Sequence, residues 1–190
     1  GFRMGAEVTV RESFMDPIVD AITRGDHRGA LAGCARAHGA SLGRLCMGWL
    51  GSQAEADEAV QETLLAAFDA MAQFRGESTV RAWLFGIARR VCARRVETRG
   101  RREARLRLVR GDLDVSPSAD SLLAARREAE RVRSALEQLK PSERDAVVLR
   151  YDGELSFREV AEACGIDEAA ARKRVSRALE RLRAVLTDAE

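Results

Sequence analysis

A chain of 190 residues of which 46% are hydrophobic is long enough to fill the core of one large or two small domains. No apolar run approaches the length of a membrane span and no signal-peptide pattern opens the chain, so direct membrane insertion is not expected; Met4, after Gly1-Phe2-Arg3, is the expected natural start. The net charge of +2 looks neutral but hides strong segregation: residues 51–74 carry Glu55, Asp57, Glu58, Glu62 and Asp69 with no Lys or Arg, whereas residues 75–110 carry twelve arginines against Glu77, Glu97 and Glu103, a net +9. Neighbouring blocks of opposite sign point to two partners, one basic and one anionic.

Taken in chain order, the apolar spacing predicts a short helix over 18–23 and a longer one over 26–50, loosened by Gly29, Gly33, Gly39, Gly43 and Gly48. Ser52 caps the next helix, with Glu55 placed to complete a capping box. That helix continues to about Ala72 and turns Ala56, Val60, Leu64, Ala67, Phe68 and Met71 inward. After Phe74-Arg75-Gly76-Glu77 another helix starts at Ser78 or Thr79 and runs through Trp83, Leu84, Ile87 and Val91 into the arginine tract. These elements make a helical domain over 10–99. Residues 100–121 pass from that tract into Gly111-Asp112-Leu113-Asp114-Val115-Ser116-Pro117-Ser118, which is turn-rich and weakly periodic and is expected to be a flexible linker. A second domain over 122–187 opens with a helix over 122–139 and another over Pro141–Tyr151, where proline is tolerated in the first turn.

The remainder of that domain reads as a helix-turn-helix. Ser156 and Glu159 form a capping box for a short first helix. Gly165 stops it by taking a positive φ, Ile166 plugs the turn, and Asp167 caps the second helix. Ala171, Val175, Ala178, Leu179 and Leu182 make one apolar stripe on that helix. Arg172, Lys173, Ser176 and Arg177 fall on the opposite arc, with Arg174 and Arg181 toward its other edge. A basic arc starting at a helix N-terminus suits a reader of the DNA major groove, because arginine takes guanine O6 and N7 together while its neighbours hold phosphates. The competing reading of the same arc is a solvated amphipathic face.

Nowhere is there a convincing alternating strand pattern, so the expected fold is all-α, two small helical domains joined by a flexible linker. The four cysteines, Cys34, Cys46, Cys92 and Cys164, form no CxxC pair. Cys34, His38 and Cys46 lack the fourth ligand a tetrahedral metal site wants, and reduced, buried thiols in a cytoplasmic protein are the better expectation. Neither an acid cluster for a catalytic metal nor an activated nucleophile stands beside a glycine-rich phosphate loop. No catalytic residue, metal or cofactor is therefore expected, and the chain does not read as an enzyme.

Two sets of motifs resemble a known family. Ala56-Asp57-Glu58-Ala59-Val60 with Gln61-Glu62-Thr63, then Phe74-Arg75-Gly76-Glu77-Ser78, then Arg81-Ala82-Trp83-Leu84-Phe85-Gly86-Ile87-Ala88-Arg89, resemble the second conserved region of the extracytoplasmic-function (ECF) sigma factors. Leu136-Glu137-Gln138-Leu139-Lys140-Pro141-Ser142-Glu143-Arg144, with Val148-Leu149-Arg150-Tyr151 and the helix-turn-helix, resemble their fourth region. The two sets stand in the family's order with a family-typical linker between them.

The resemblance implies a dissociable subunit of bacterial RNA polymerase that brings the enzyme to promoters and helps open them. It implies that Asp57, Glu58, Gln61 and Glu62 bind the clamp helices of the largest polymerase subunit, with a further contact to the flap. It implies that Gly76, Glu77, Ser78, Thr79, Arg81, Trp83 and Arg90 serve the -10 element, and that Arg172, Lys173, Arg174, Ser176 and Arg177 serve the -35 element. An anti-sigma protein, in many relatives one anchored in the membrane, is the implied regulator; it would clamp the two domains together. The implied location is the cytoplasm, on the nucleoid when active or at the membrane when so held. Arg90 stands where the family usually has asparagine, and Ala170-Ala171-Arg172-Lys173-Arg174 stands for Thr-Val-Lys-Ser-Arg, which predicts altered promoter preference and stronger phosphate attraction. The alternative is a stand-alone helix-turn-helix transcription regulator, which accounts for the C-terminal third and leaves the acidic helix and the Trp83 motif without a role.

Overall fold

Residues 16–110 and 122–187 are described by a computed structural model, in which every regular element is helical. Eight α-helices are present among the described residues: α1 (Pro17–Thr23), α2 (His27–Leu50), α3 (Gln53–Ala70), α4 (Val80–Arg110), α5 (Leu122–Glu137), α6 (Pro141–Tyr151), α7 (Phe157–Cys164) and α8 (Glu168–Thr187). A single 3-10 turn, Met71–Gln73, follows α3. The sequence expectations for 10–15 and for the turn-rich stretch 111–121 lie outside the described residues. Helix α4, however, continues through Gly100 to Arg110, so the first part of the segment expected as linker is helical. Arginine, glutamate, alanine and leucine dominate that part and all favour helix, even with no apolar stripe to announce it.

The caps follow the local chemistry. Asp16 accepts from the Ile18 amide at 2.9 Å ahead of Pro17, and Asp26 accepts from the Gly29 amide at 2.9 Å. Ser156 and Glu159 close both halves of the capping box on α7, at 3.2 and 2.9 Å. Gly165 ends α7 at φ 66°, and Asp167 accepts from the Ala170 amide at 2.7 Å to start α8. At α3 only the Ser52 half of the expected box forms. The Glu55 carboxylate instead accepts from Arg99 Nη1 at 3.0 Å, a charge-assisted bond that outcompetes a return to the Ser52 amide.

In the N-terminal half α2 packs on α1, α3 and α4, and α3 packs on α4; in the C-terminal half α6, α7 and α8 pack on one another with α5 against α8. The halves also touch: α4 lies against α7 and α2 against α6. Leu45, Leu84 and Phe85 from the first half and Leu149, Leu155 and Val160 from the second are all fully buried members of one apolar cluster. At Gly86 the two backbones meet so closely that an added Cβ would sit 3.2 Å from the Ala163 carbonyl oxygen.

Candidate functional site

The three groups of residues singled out in the sequence occupy three different surfaces. The acidic group lies on α3, where Asp57, Glu58 and Gln61 are exposed and Glu62 is half-buried. Their neighbours were not legible in the sequence. Glu58 and Glu62, four residues apart, share Arg95 of α4, each carboxylate accepting at 3.0 Å, and Glu62 also meets Arg94 at 3.3 Å. Burial pulls the Arg95 guanidinium down, but the bonds from Glu58 and Glu62 more than offset it and leave its pKa raised. Asp57 accepts only from Gln53 of its own helix, at 2.7 Å, so the outward negative field is concentrated on Asp57 and its side of the helix.

The second group begins in the loop between α3 and α4. Gly76 turns the chain there at φ 70°, and Thr79 accepts from the Ala82 amide at 3.1 Å to start α4. Phe74, Arg75 and Gly76 border a cleft of about 590 Å³ whose other walls include Ile22, His27 and Met71. Trp83 is half-buried and tilted against Phe74 with ring centroids 5.0 Å apart. Arg90 is exposed on α4; partial burial lowers its pKa, and the like charges of Arg89 and Arg94 add to the effect.

Thr79 and Arg81 are not open to solvent in the same way. The Thr79 amide donates to Glu162 Oε2 and its hydroxyl to Glu159 Oε1, both at 3.4 Å. Arg81 pairs with Glu159 at 3.4 Å and donates through Nη2 to the Glu154 carbonyl at 2.5 Å. Beside them Arg89 pairs with Asp145 of α6 at 3.2 Å. Burial raises the Asp145 pKa even though Arg89 pulls the other way. Glu159 and Glu162 are three residues apart, on one face of α7, and that spacing was the one sequence signal for a second use of the capping glutamate.

The third group lies on α8. Lys173, Ser176 and Arg177 are exposed, and Arg174 is half-buried. Arg172 bonds Glu168 at 2.6 Å and lies 4.4 Å above the Phe157 ring, which fixes its stem against α7. Ala171, Val175 and Ala178 are buried as the stripe required.

The cysteines and His38 do not build a metal centre. Cys34, Cys46 and Cys92 are wholly buried, and burial pushes the Cys34 thiol up to about 11. His38 sits edge-on to Phe85, and burial lowers its pKa. Among the described residues no three His, Cys, Asp or Glu side chains converge as metal ligands, and no described helix is long and apolar enough to cross a membrane.

Comparison with known proteins adds the following. Residues 34–102 match the family model for Sigma-70 region 2, and residues 129–182 match that for Sigma-70, region 4. The ECF RNA polymerase sigma factor SigC of Mycobacterium tuberculosis is 32% identical over 148 residues, covering 75% of this chain and 74% of SigC. The ECF RNA polymerase sigma factor SigG of the same species is 31% identical over 163 residues, 74% of this chain; the match spans only 44% of the SigG length. Among solved structures, CnrH in complex with the cytosolic domain of CnrY superposes with a TM-score of 0.63 at 26% identity, over 86% of this chain and 91% of CnrH. The sigma factor RpoE of Bartonella quintana, solved with the anti-sigma factor NepR, gives 0.55 at 26% identity over 77% and 89% of the two chains.

Proposed function

The chain belongs to the ECF family of RNA polymerase sigma factors, and from that premise we propose that it directs core RNA polymerase to specific promoters and helps to open them for transcription initiation. The observation that carries this reading is the division of the surface: negative charge on α3, a separate basic arc on α8, and a cleft beside the loop that opens α4. Asp57, Glu58, Gln61 and Glu62 contact the clamp helices of the largest polymerase subunit, and the C-terminal half contacts the flap. The -10 element, once unpaired, meets Gly76, Glu77, Ser78, Thr79 and Arg81, with Trp83 supporting the loop from behind and Arg90 holding backbone. Flipping a base costs a few kcal/mol and needs a receiving cleft, which the space beside Phe74 and Gly76 supplies. The -35 duplex meets Arg172, Lys173, Arg174, Ser176 and Arg177 in its major groove.

An anti-sigma protein controls the chain in this reading, which the likeness to RpoE bound to NepR supports. The protein then works in the cytoplasm on the nucleoid, and at the membrane when its regulator is anchored there. It performs no catalytic chemistry of its own.

Reconstitution tests the proposal directly. Added to core polymerase on a pooled promoter library, the chain should give discrete RNA starts; no start at any site overturns the reading. Combined charge reversal at Asp57, Glu58 and Glu62 to Lys should weaken capture of core polymerase at least tenfold. Asp57→Lys alone should account for a visible part of that loss, because it disturbs no pairing with α4. Undiminished capture by the triple variant would remove this surface from the polymerase interface.

A further inference from the structure

One ring in the C-terminal half carries two cations. Phe157 opens α7, half-buried on the core, and the guanidinium carbons of Arg150 and Arg172 lie over it at 4.9 and 4.4 Å from its centroid. Arg150 comes from α6 and is tied down, donating through Nη1 to the carbonyl of the buried Leu155 at 2.8 Å. Arg172 comes from α8 and is exposed; besides the ring its partner is Glu168, four residues back on its own helix, at 2.6 Å. An exposed pair of that spacing restrains a side chain weakly. An aromatic face holds a guanidinium by charge and by stacking, and leaves its edge N–H groups open to an acceptor.

The ring therefore decides where Arg172 points. In a helix-turn-helix on duplex the second helix enters the major groove and the first crosses the backbone. A side chain of α8 laid back on α7 consequently stands beside phosphates, and the exposed Lys173, Ser176 and Arg177 are left for base edges. Two like charges at one ring also repel, and a phosphate arriving beside them relieves that cost. Arginine matters at this position: where the family pattern Thr-Val-Lys-Ser-Arg has lysine, this chain has Arg172, whose plane can lie on a ring as an ammonium cannot.

We propose that Phe157 is a positioning residue for duplex recognition: it holds Arg172 as a ready-set phosphate clamp near the start of α8, so that Arg172 fixes register and reads no base. This rests on the promoter-binding reading above and gives Phe157, which that reading leaves out, a part in it.

The test uses the full chain assembled with core polymerase and a fluorescein-labelled pool of random duplexes, with affinity measured across a salt series and the bound fraction sequenced. Phe157→Leu and Arg172→Lys both keep every charge. Each should weaken binding roughly two- to fivefold, the range of an exposed contact between a cation and a ring, with the salt slope and the enriched sequences unchanged. Their combination should cost no more than either alone, since both break one contact, and Phe157→Tyr, which keeps the ring, should bind as wild type does. Arg172→Lys replaces no core side chain, so its loss is not an effect of unfolding. Arg172→Ala should lower the salt slope by about one phosphate and relax no base position. Losses that add in the double variant would make Phe157 a packing residue alone, and a base position relaxed by Arg172→Ala would make Arg172 a reader; either result overturns the proposal, as does undiminished binding by Arg172→Lys. A wild-type chain that enriches no sequence with core polymerase would instead remove the promoter-binding reading, and the clamp with it.

Discussion

Asp152 shows what a single carboxylate does when the chain gives it no counter-charge. It follows α6, half-buried against α2 at Gly48, where an added Cβ would stand 2.3 Å from its Oδ2, and burial raises its pKa with no opposing cause. A carboxyl whose folded pKa exceeds its unfolded value makes the folded state bind protons first. Its charged form therefore costs stability above the folded pKa, and the cost vanishes as pH falls below the unfolded value. Asp152→Asn should accordingly raise the urea midpoint at pH 8, and the gain over wild type should close as the pH falls through the acid range. An Asn variant that is less stable at pH 8 would show that the carboxylate is held by bonds worth more than its burial. Residue chemistry of the capping kind was readable in the sequence, because Ser156 and Glu159 are three apart and need nothing else. The half-formed box at Ser52 was misread for the opposite reason, since the competitor Arg99 is 44 residues away from Glu55.

Among the helices, α8 was the most legible and α4 the least. Of the α8 stripe, Ala171, Val175 and Ala178 are buried and Leu179 and Leu182 are half-buried against the core, which leaves the basic arc facing outward. Arg177→Ala should weaken binding to a -35 duplex by about 1–3 kcal/mol and relax one base position if Arg177 reads a base edge; a pure phosphate contact should weaken all sequences alike and flatten the salt dependence. In α4 the apolar period fades after Val91, so the pattern alone placed a linker from residue 100. Helix-favouring composition carries the element on to Arg110, leaving Leu108 and Val109 88% and 83% exposed. Periodicity finds the part of a helix that has something to pack on, and the rest obeys propensity.

For the molecule as a whole, the sequence announced two helical units but not their embrace. Apolar spacing says which side of α4 or α7 is oily and is silent about what covers it; the covering contacts join residues some 80 positions apart, such as Thr79 with Glu159. A continuous core has a thermodynamic signature. Leu155 is fully buried in the C-terminal half, while both tryptophans, Trp49 and Trp83, belong to the N-terminal half. Leu155→Ala should destabilise the chain by about 2–5 kcal/mol, and tryptophan emission should register the shift even though the lesion lies in the other unit. An unmoved tryptophan transition beside a lowered helical one would show the two units melting separately.

The sunken thiols give this body an internal clock. Cys34, Cys46 and Cys92 have no exposed surface, whereas Cys164 is half-exposed at the end of α7. A small alkylating reagent reaches the first three only during excursions that part the helices around them, so their rates of modification count those excursions without any added label. Whatever binds the chain and holds its interior shut will be recorded as a slowing of that clock.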